Sequence, residues 1–249
     1  MSKVAIIAAL EREIASLIDD QLWRTVKLIP SPHRDYESNY GFIVCSGMGG
    51  MAARQAAEQV LGRVRPSFLI SAGIAGALTP GWKVGDVIAP AVVVQVGGTP
   101  RKTASLPEIP GLQRRGTLVS APSIAGPEEK ANLARQYQAD AIDMEAGFVA
   151  EVAAAHDVPF AAVKAISDAH DFPLPDLGRF MAPDGRFRTS RFVAYSMLRP
   201  TTWPAVCHLA RNSNKASREL CRVLRLLLTT GALGAAPSSG VRSSGAVNI

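Results

Sequence analysis

Two carboxylates, Glu145 and Asp168, stand at positions where a parallel sheet presents side chains to a ligand. Glu145 follows the strand-like run Ala141-Ile142-Asp143-Met144 and opens a helix of small and apolar residues, with Phe148, Val149, Val152 and Ala153 at helical spacing. Asp168 lies just past Phe160 to Ile166, a continuous apolar run of the kind that forms a strand buried on both faces. Ligands of open α/β sheets bind outside the carboxyl ends of the strands, so both acids can face one crevice. Carboxyl groups in a crevice move protons and hold hydroxyls. The same two residues also fit a helix's first-turn acid and an ordinary cap, and spacing alone leaves that choice open.

The elements that must position these acids are strands alternating with helices. Lys3 to Ala9 reads as a buried first strand, and Glu11-Arg12-Glu13 opens a helix carrying Ile14, Leu17 and Ile18. Gln21 to Tyr40 holds Pro30, Pro32, Asp35 and Asn39 and reads as loop with an edge strand. Gly41 to Cys45 is the next strand, and the turn Ser46-Gly47-Met48-Gly49-Gly50 leads into a helix from Met51 to about Arg63. Such a turn lets backbone N–H groups approach a ligand oxygen, although it matches no dinucleotide or Walker pattern. Ser67 to Ser71 is a third buried strand followed by Ala72-Gly73-Ile74-Ala75-Gly76, and Ala89 to Val96 and Thr117 to Ala121 are further β-type runs. Arg188 to Leu198 and Trp203 to Thr229 read as helices, and Gly231 to Ile249 as a small-residue, disordered tail.

Composition narrows the classes. At 249 residues and 47% hydrophobic, the chain can bury one sizeable core, so one domain over 1–230, with a helical extension from about 186, is expected. Cys45, Cys207 and Cys221 have no CxxC spacing, and His33, His156, His170 and His208 no ligand pairing, so neither a zinc site nor a disulfide framework is expected. The apolar start runs straight into Glu11, Arg12 and Glu13, and no apolar run reaches membrane-spanning length. A cytoplasmic location is the expectation. The net charge of +6 is concentrated between Arg179 and Arg225 and points to an anionic partner or simply to a solvated basic face. A non-enzymatic nucleic-acid binder fits poorly, because no aromatic stacking platform or recognised motif accompanies the charge.

Met144-Glu145 followed by Ala165-Ile166-Ser167-Asp168 resembles the paired signature of the 5′-methylthioadenosine/S-adenosylhomocysteine nucleosidases, members with the purine nucleoside phosphorylases of one superfamily. Val84-Gly85-Asp86-Val87 resembles the family's KVGD strand entry. The resemblance implies a three-layer α/β/α fold with a mostly parallel, twisted central sheet, cleavage of the N-glycosidic bond of an adenine nucleoside, no cofactor and a homo-oligomer. It implies that Glu145, after Met144, holds the ribose hydroxyls, that Asp168, after Ser167, protonates the purine, and that Glu13 activates water. The turn with Ser46, Gly47 and Met48 would lie beside the ribose and nucleophile, and Gly73 and Ile74 close to base and ribose. Ile124 would cover the purine where the family has an aromatic ring, and Gly97 to Gly111 lacks the histidine-aspartate pair of the methylthioadenosine nucleosidases.

Phosphorylases of the superfamily hold phosphate with an arginine and a serine in the turn that corresponds to Ser71 to Gly76. Ile74 cannot donate a hydrogen bond, and neither Arg12 nor Arg54 sits at the family's ligand positions, so water is the expected nucleophile, with Glu13 ionised. Gly185-Arg186-Phe187-Arg188-Thr189, Leu198-Arg199-Pro200, Trp203-Pro204 and Ala210-Arg211-Asn212-Ser213 resemble the C-terminal region of hopanoid-associated phosphorylases. That likeness implies adenosylhopane as substrate and a basic, partly apolar face meeting a membrane. Methylthioadenosine or adenosylhomocysteine hydrolysis, and phosphorolysis of adenosylhopane, are the alternatives.

Overall fold

The computed structural model describes residues 3–19, 21–172, 203–231 and 233. The helix expected over Arg188 to Leu198, the basic residues from Arg179 to Arg199 and most of the tail from Gly231 lie outside the described residues.

The first strand, β1 (Val4–Ala8), is central, with β4 (Gly41–Cys45) and β5 (Phe68–Ala77) paired parallel on either side of it. Its residues alternate between two cores, as strand geometry requires. Ile6 joins Ile43, Ile70 and Val163 on one face, and Ile7 joins Val44, Leu69 and Ala162 on the other. On the second face lie α2 (Gly50–Val64) and α4 (Ala146–Ala155), which bury Ala53, Ala57, Val60, Val149 and Ala153. The first face is covered by α5 (Trp203–Thr229), which buries Ala216, Leu220, Val223, Leu224 and Leu227 at spacings of three and four. A mostly parallel sheet between helical layers is the expected architecture.

The central sheet forks at β5. Along its length β5 pairs in parallel with β12 (Phe160–Asp168), and at its end it pairs antiparallel with β11 (Ala141–Asp143). From β11 the sheet continues through β10 (Thr117–Ser120) and β7 (Val92–Gln95) to a short edge strand, β8 (Arg101–Lys102). On the far side β2 (Arg24–Val26) and β3 (Asp35–Glu37) extend it beyond β4, so Gln21 to Tyr40 supplies two strands rather than one. Of the run Ala89 to Val96 only β7 is strand, and Pro90 separates it from β6 (Val87–Ile88), which pairs with β12 and with β9 (Leu112–Gln113).

Three departures from the sequence reading matter for the site. Ala72 to Gly76 is no turn but the second half of β5: its residues pair with Val163 through Asp168 on one side, and on the other Ala72 pairs with Ala8 and Gly76 with Ile142. Asp168 belongs to β12, after a bulge between Ile166 and Asp168 that re-aims the strand's last residues. Glu11–Glu13 forms a single 3₁₀ turn before the four-residue α1 (Ala15–Ile18), not the start of one longer helix. An element the sequence reading passed over, α3 (Pro127–Tyr137), lies between β10 and β11. Proline at its start and Glu128 and Glu129 in its first turn are the signals that mark it.

Candidate active site

The strand ends meet at a cavity of about 390 Å³, within the usual range for small-molecule sites. Glu13, Met48, Ile74, Ile124, Met144, Glu145, Ser167 and Asp168 all line it. Ser46, Gly47 and Gly73 do not. The Ser46 hydroxyl donates to the carbonyls of Ala8 and Gly47, tying the turn together. Gly73 backs the site instead: with φ at +156°, a Cβ there would come within 2.9 Å of Glu13 Oε2. Gly49, in the same turn as Ser46 and Gly47, supplies the N–H that the sequence pointed to, but donates it to Glu145 Oε1 at 2.8 Å. No aromatic ring lines the cavity among the described residues, in keeping with isoleucine at position 124.

The charge arrangement goes beyond three acids. Lys164, read as part of an apolar run, is buried and pairs with Asp143 Oδ2 at 2.9 Å. Glu13, Asp143 and Glu145 are therefore three buried carboxyl groups around one buried ammonium. Burial acts to lower the pKa of Lys164, but Asp143, Glu145 and Glu13 outweigh it and hold the amine charged. Glu145 moves up from the usual carboxylate range, chiefly through burial, with Lys164 opposing and Asp143 reinforcing. Glu13 is pushed up to about 7 by burial and then by Glu145, against Lys164 and Arg12. It is thus not fully ionised at neutral pH, as the sequence reading assumed, but poised there, which suits a group that accepts a proton. Its Oε2 has no hydrogen-bond partner among the described residues, so a donor from solvent or substrate has to satisfy it.

Asp168, also on the cavity wall, is buried with both oxygens engaged. Ser167 Oγ donates to Oδ1 at 2.6 Å, and Lys130 Nζ, on α3, is bound to Oδ2. Lys130 also donates to the Ala169 carbonyl at 3.0 Å. Sequence reasoning missed both lysines, because a lysine in an amphipathic helix or an apolar strand carries no mark of its partner. Arg12 does line the cavity, beside Glu13, whereas Arg54 pairs with Glu151 away from it. Ser71 is buried within the sheet and does not reach the cavity. Among the described residues no group of three His, Cys, Asp or Glu side chains is placed to hold a metal ion.

This network makes a stability prediction. Lys164→Met strands Asp143 without its counter-ion beside Glu13 and Glu145, and breaking a buried pair from one side costs about 3–5 kcal/mol. Urea unfolding should show a loss of that size at pH 7. A loss below about 1 kcal/mol would mean that the carboxylates rearrange to water.

Comparison with known proteins agrees with this geometry. The chain is 28% identical over 199 residues to the 5′-methylthioadenosine/S-adenosylhomocysteine nucleosidase of Actinobacillus succinogenes, covering 68% of this chain and 86% of that one. It is 25% identical over 197 residues to the enzyme of the same name from Bacillus subtilis, covering 67% and 85%. In three dimensions it is similar to the Arabidopsis thaliana 5′-methylthioadenosine nucleosidase, with a TM-score of 0.68 at 19% identity over 91% of this chain and 96% of that one. It is equally similar to the futalosine hydrolase of Helicobacter pylori, with a TM-score of 0.69 at 15% identity over 92% and 98%. The model of the phosphorylase superfamily matches residues 3–115 and 112–179, which contain all four acids that line the cavity and both buried lysines. The chain belongs to the phosphorylase superfamily.

Proposed function

We propose that the protein is a nucleosidase that hydrolyses the N-glycosidic bond of a 5′-substituted adenine nucleoside, with methylthioadenosine or adenosylhomocysteine as the substrate class. One observation carries this reading: Glu13, Glu145 and Asp168 line a single cavity at the sheet's carboxyl edge. The nucleosidase relatives support it. Asp168 gives a proton to the ring nitrogen of the leaving base, which departs as neutral adenine rather than as a poor anionic leaving group. The C1′–N9 bond breaks through an oxocarbenium-like transition state. Glu145, held by the N–H groups of Gly49 and Met144, binds the ribose hydroxyls and steadies the positive ring. Glu13 takes the proton of the attacking water.

Water rather than phosphate is favoured by three features of the site. Ile74 lines the cavity without a donor, Ser71 lies outside it, and the Glu13 carboxylate repels a phosphate dianion. Arg12, beside Glu13 on the cavity wall, is a feature that suits phosphate.

Adenosylhopane is a second reading of the substrate, favoured by the apolar wall of Leu10, Ile74, Ile124 and Leu209 and by the C-terminal motifs. Under it the basic stretch meets an anionic bilayer, where each lysine or arginine adds about 1 kcal/mol of binding. Offering methylthioadenosine in solution and adenosylhopane in anionic liposomes separates the two. Rapid adenine release from methylthioadenosine, with no liposome co-sedimentation at low salt, is expected. Release from the liposomes alone, with co-sedimentation that salt reverses, would transfer the assignment to adenosylhopane.

A further inference from the structure

A general acid aimed at a purine must bring a proton to neutral solution, and a lone aspartate is poorly suited to that. Both Asp168 oxygens are engaged, and the partner of Oδ2 is an ammonium with only 1% of its side chain exposed. Lys130 reaches this position from α3 and also donates to the Ala169 carbonyl, just past β12. The approach depends on Gly76: a Cβ there would come within 2.9 Å of Asp168 Oδ2 and 3.2 Å of Lys130 Nζ. Buried Lys130 and Asp168 thus pack as one unit against Gly76 on the wall of the cavity. A buried ion pair of this kind is not explained by stability, since apolar residues of similar volume commonly do as well.

We infer that Lys130 holds the proton that Asp168 delivers. This rests on the reading of Asp168 as the acid. Ammonium plus carboxylate contains the same proton count as amine plus carboxylic acid, so moving one proton from Nζ to Oδ2 converts the resting pair into the acid form. Asp168 passes that proton to the purine nitrogen as the C1′–N9 electron pair moves onto the base. Attack by water gives its oxygen to C1′ and its proton to Glu13. The site then holds one proton more at Glu13 and one fewer at Lys130, and exchange with solvent restores both. Lys130 acts through Asp168 and is in that sense a positioning residue.

The test compares leaving groups. Adenine needs a proton to depart, whereas p-nitrophenolate does not. Lys130→Met, Lys130→Arg and Asp168→Asn are each assayed on methylthioadenosine and on p-nitrophenyl riboside. For Lys130→Met the kcat loss on methylthioadenosine should exceed the loss on the nitrophenyl riboside by about 10²-fold, with KM changed little. Lys130→Arg keeps the charge but cannot give up a proton, so it should be as impaired as methionine. Full rescue by arginine, equal losses on both substrates, or methylthioadenosine turnover within a few-fold of wild type would each overturn the role of Lys130. Undiminished methylthioadenosine turnover by Asp168→Asn would instead overturn the acid assignment beneath it. Retained adenine binding by calorimetry shows that each variant has folded.

Discussion

Asp168→Asn should lower kcat on methylthioadenosine by about 10²–10⁴-fold, the usual worth of a positioned general acid. Asparagine keeps the shape of the side chain, and its amide oxygen still accepts from Lys130, whose second acceptor, the Ala169 carbonyl, is untouched. The loss therefore measures the missing proton rather than a collapsed wall. Adenine should bind nearly as well as to wild type, and the defect should appear in kcat. A variant with KM raised and kcat preserved would place Asp168 among groups that merely bind the base.

The second large effect is at Glu13. Glu13→Gln should lower kcat by a similar factor of about 10²–10⁴, since the amide cannot accept the proton of water. Its signature is in the pH dependence. The base works only when ionised, so wild-type kcat/KM should fall as pH drops below the Glu13 value of about 7. That limb should be absent from the residual activity of the variant. Stability moves in the opposite direction. A carboxyl group whose pKa rises from 4.5 to about 7 on folding binds more protons in the folded state, so its contribution is fully present below 4.5 and is lost as pH rises through 7. The rise corresponds to at most about 3 kcal/mol, shared with Glu145 and Lys164. Glutamine removes this dependence, so the variant should be the more stable protein at pH 8 and lose its advantage at pH 4. Thermal unfolding at the two values gives the comparison, and parallel shifts at both would refute the buried charge.

The three acids were legible because their positions follow from chain order: each stands at, or just after, the carboxyl end of a strand, and each strand is a short apolar run between turn residues. The resemblance to the nucleosidases then supplied their separate roles. Lys130 and Lys164 were not legible, since what distinguishes them is a carboxylate brought by another element, at a distance of 38 and 21 residues in sequence. Their presence changes the electrostatics of the acids they touch. The second half of β5 was hidden for a different reason: alanine and glycine read as turn residues, yet those small side chains are what let β1 and β12 close on both sides and bring Glu13 and Asp168 near. The poised state of Glu13 was also beyond the sequence, because it depends on how three carboxyl groups share one ammonium.

Attack on C1′ by water activated by Glu13 is the step on which the proposed reaction turns. It is tested most directly by running the reaction in ¹⁸O-labelled water over a series of phosphate concentrations and identifying the sugar product. One ¹⁸O atom at C1 of a free ribosyl product is expected, with a rate that does not respond to phosphate. A ribosyl 1-phosphate without the label, formed at a rate that rises with phosphate from near zero, would contradict it and assign Arg12 to the binding of the phosphate nucleophile.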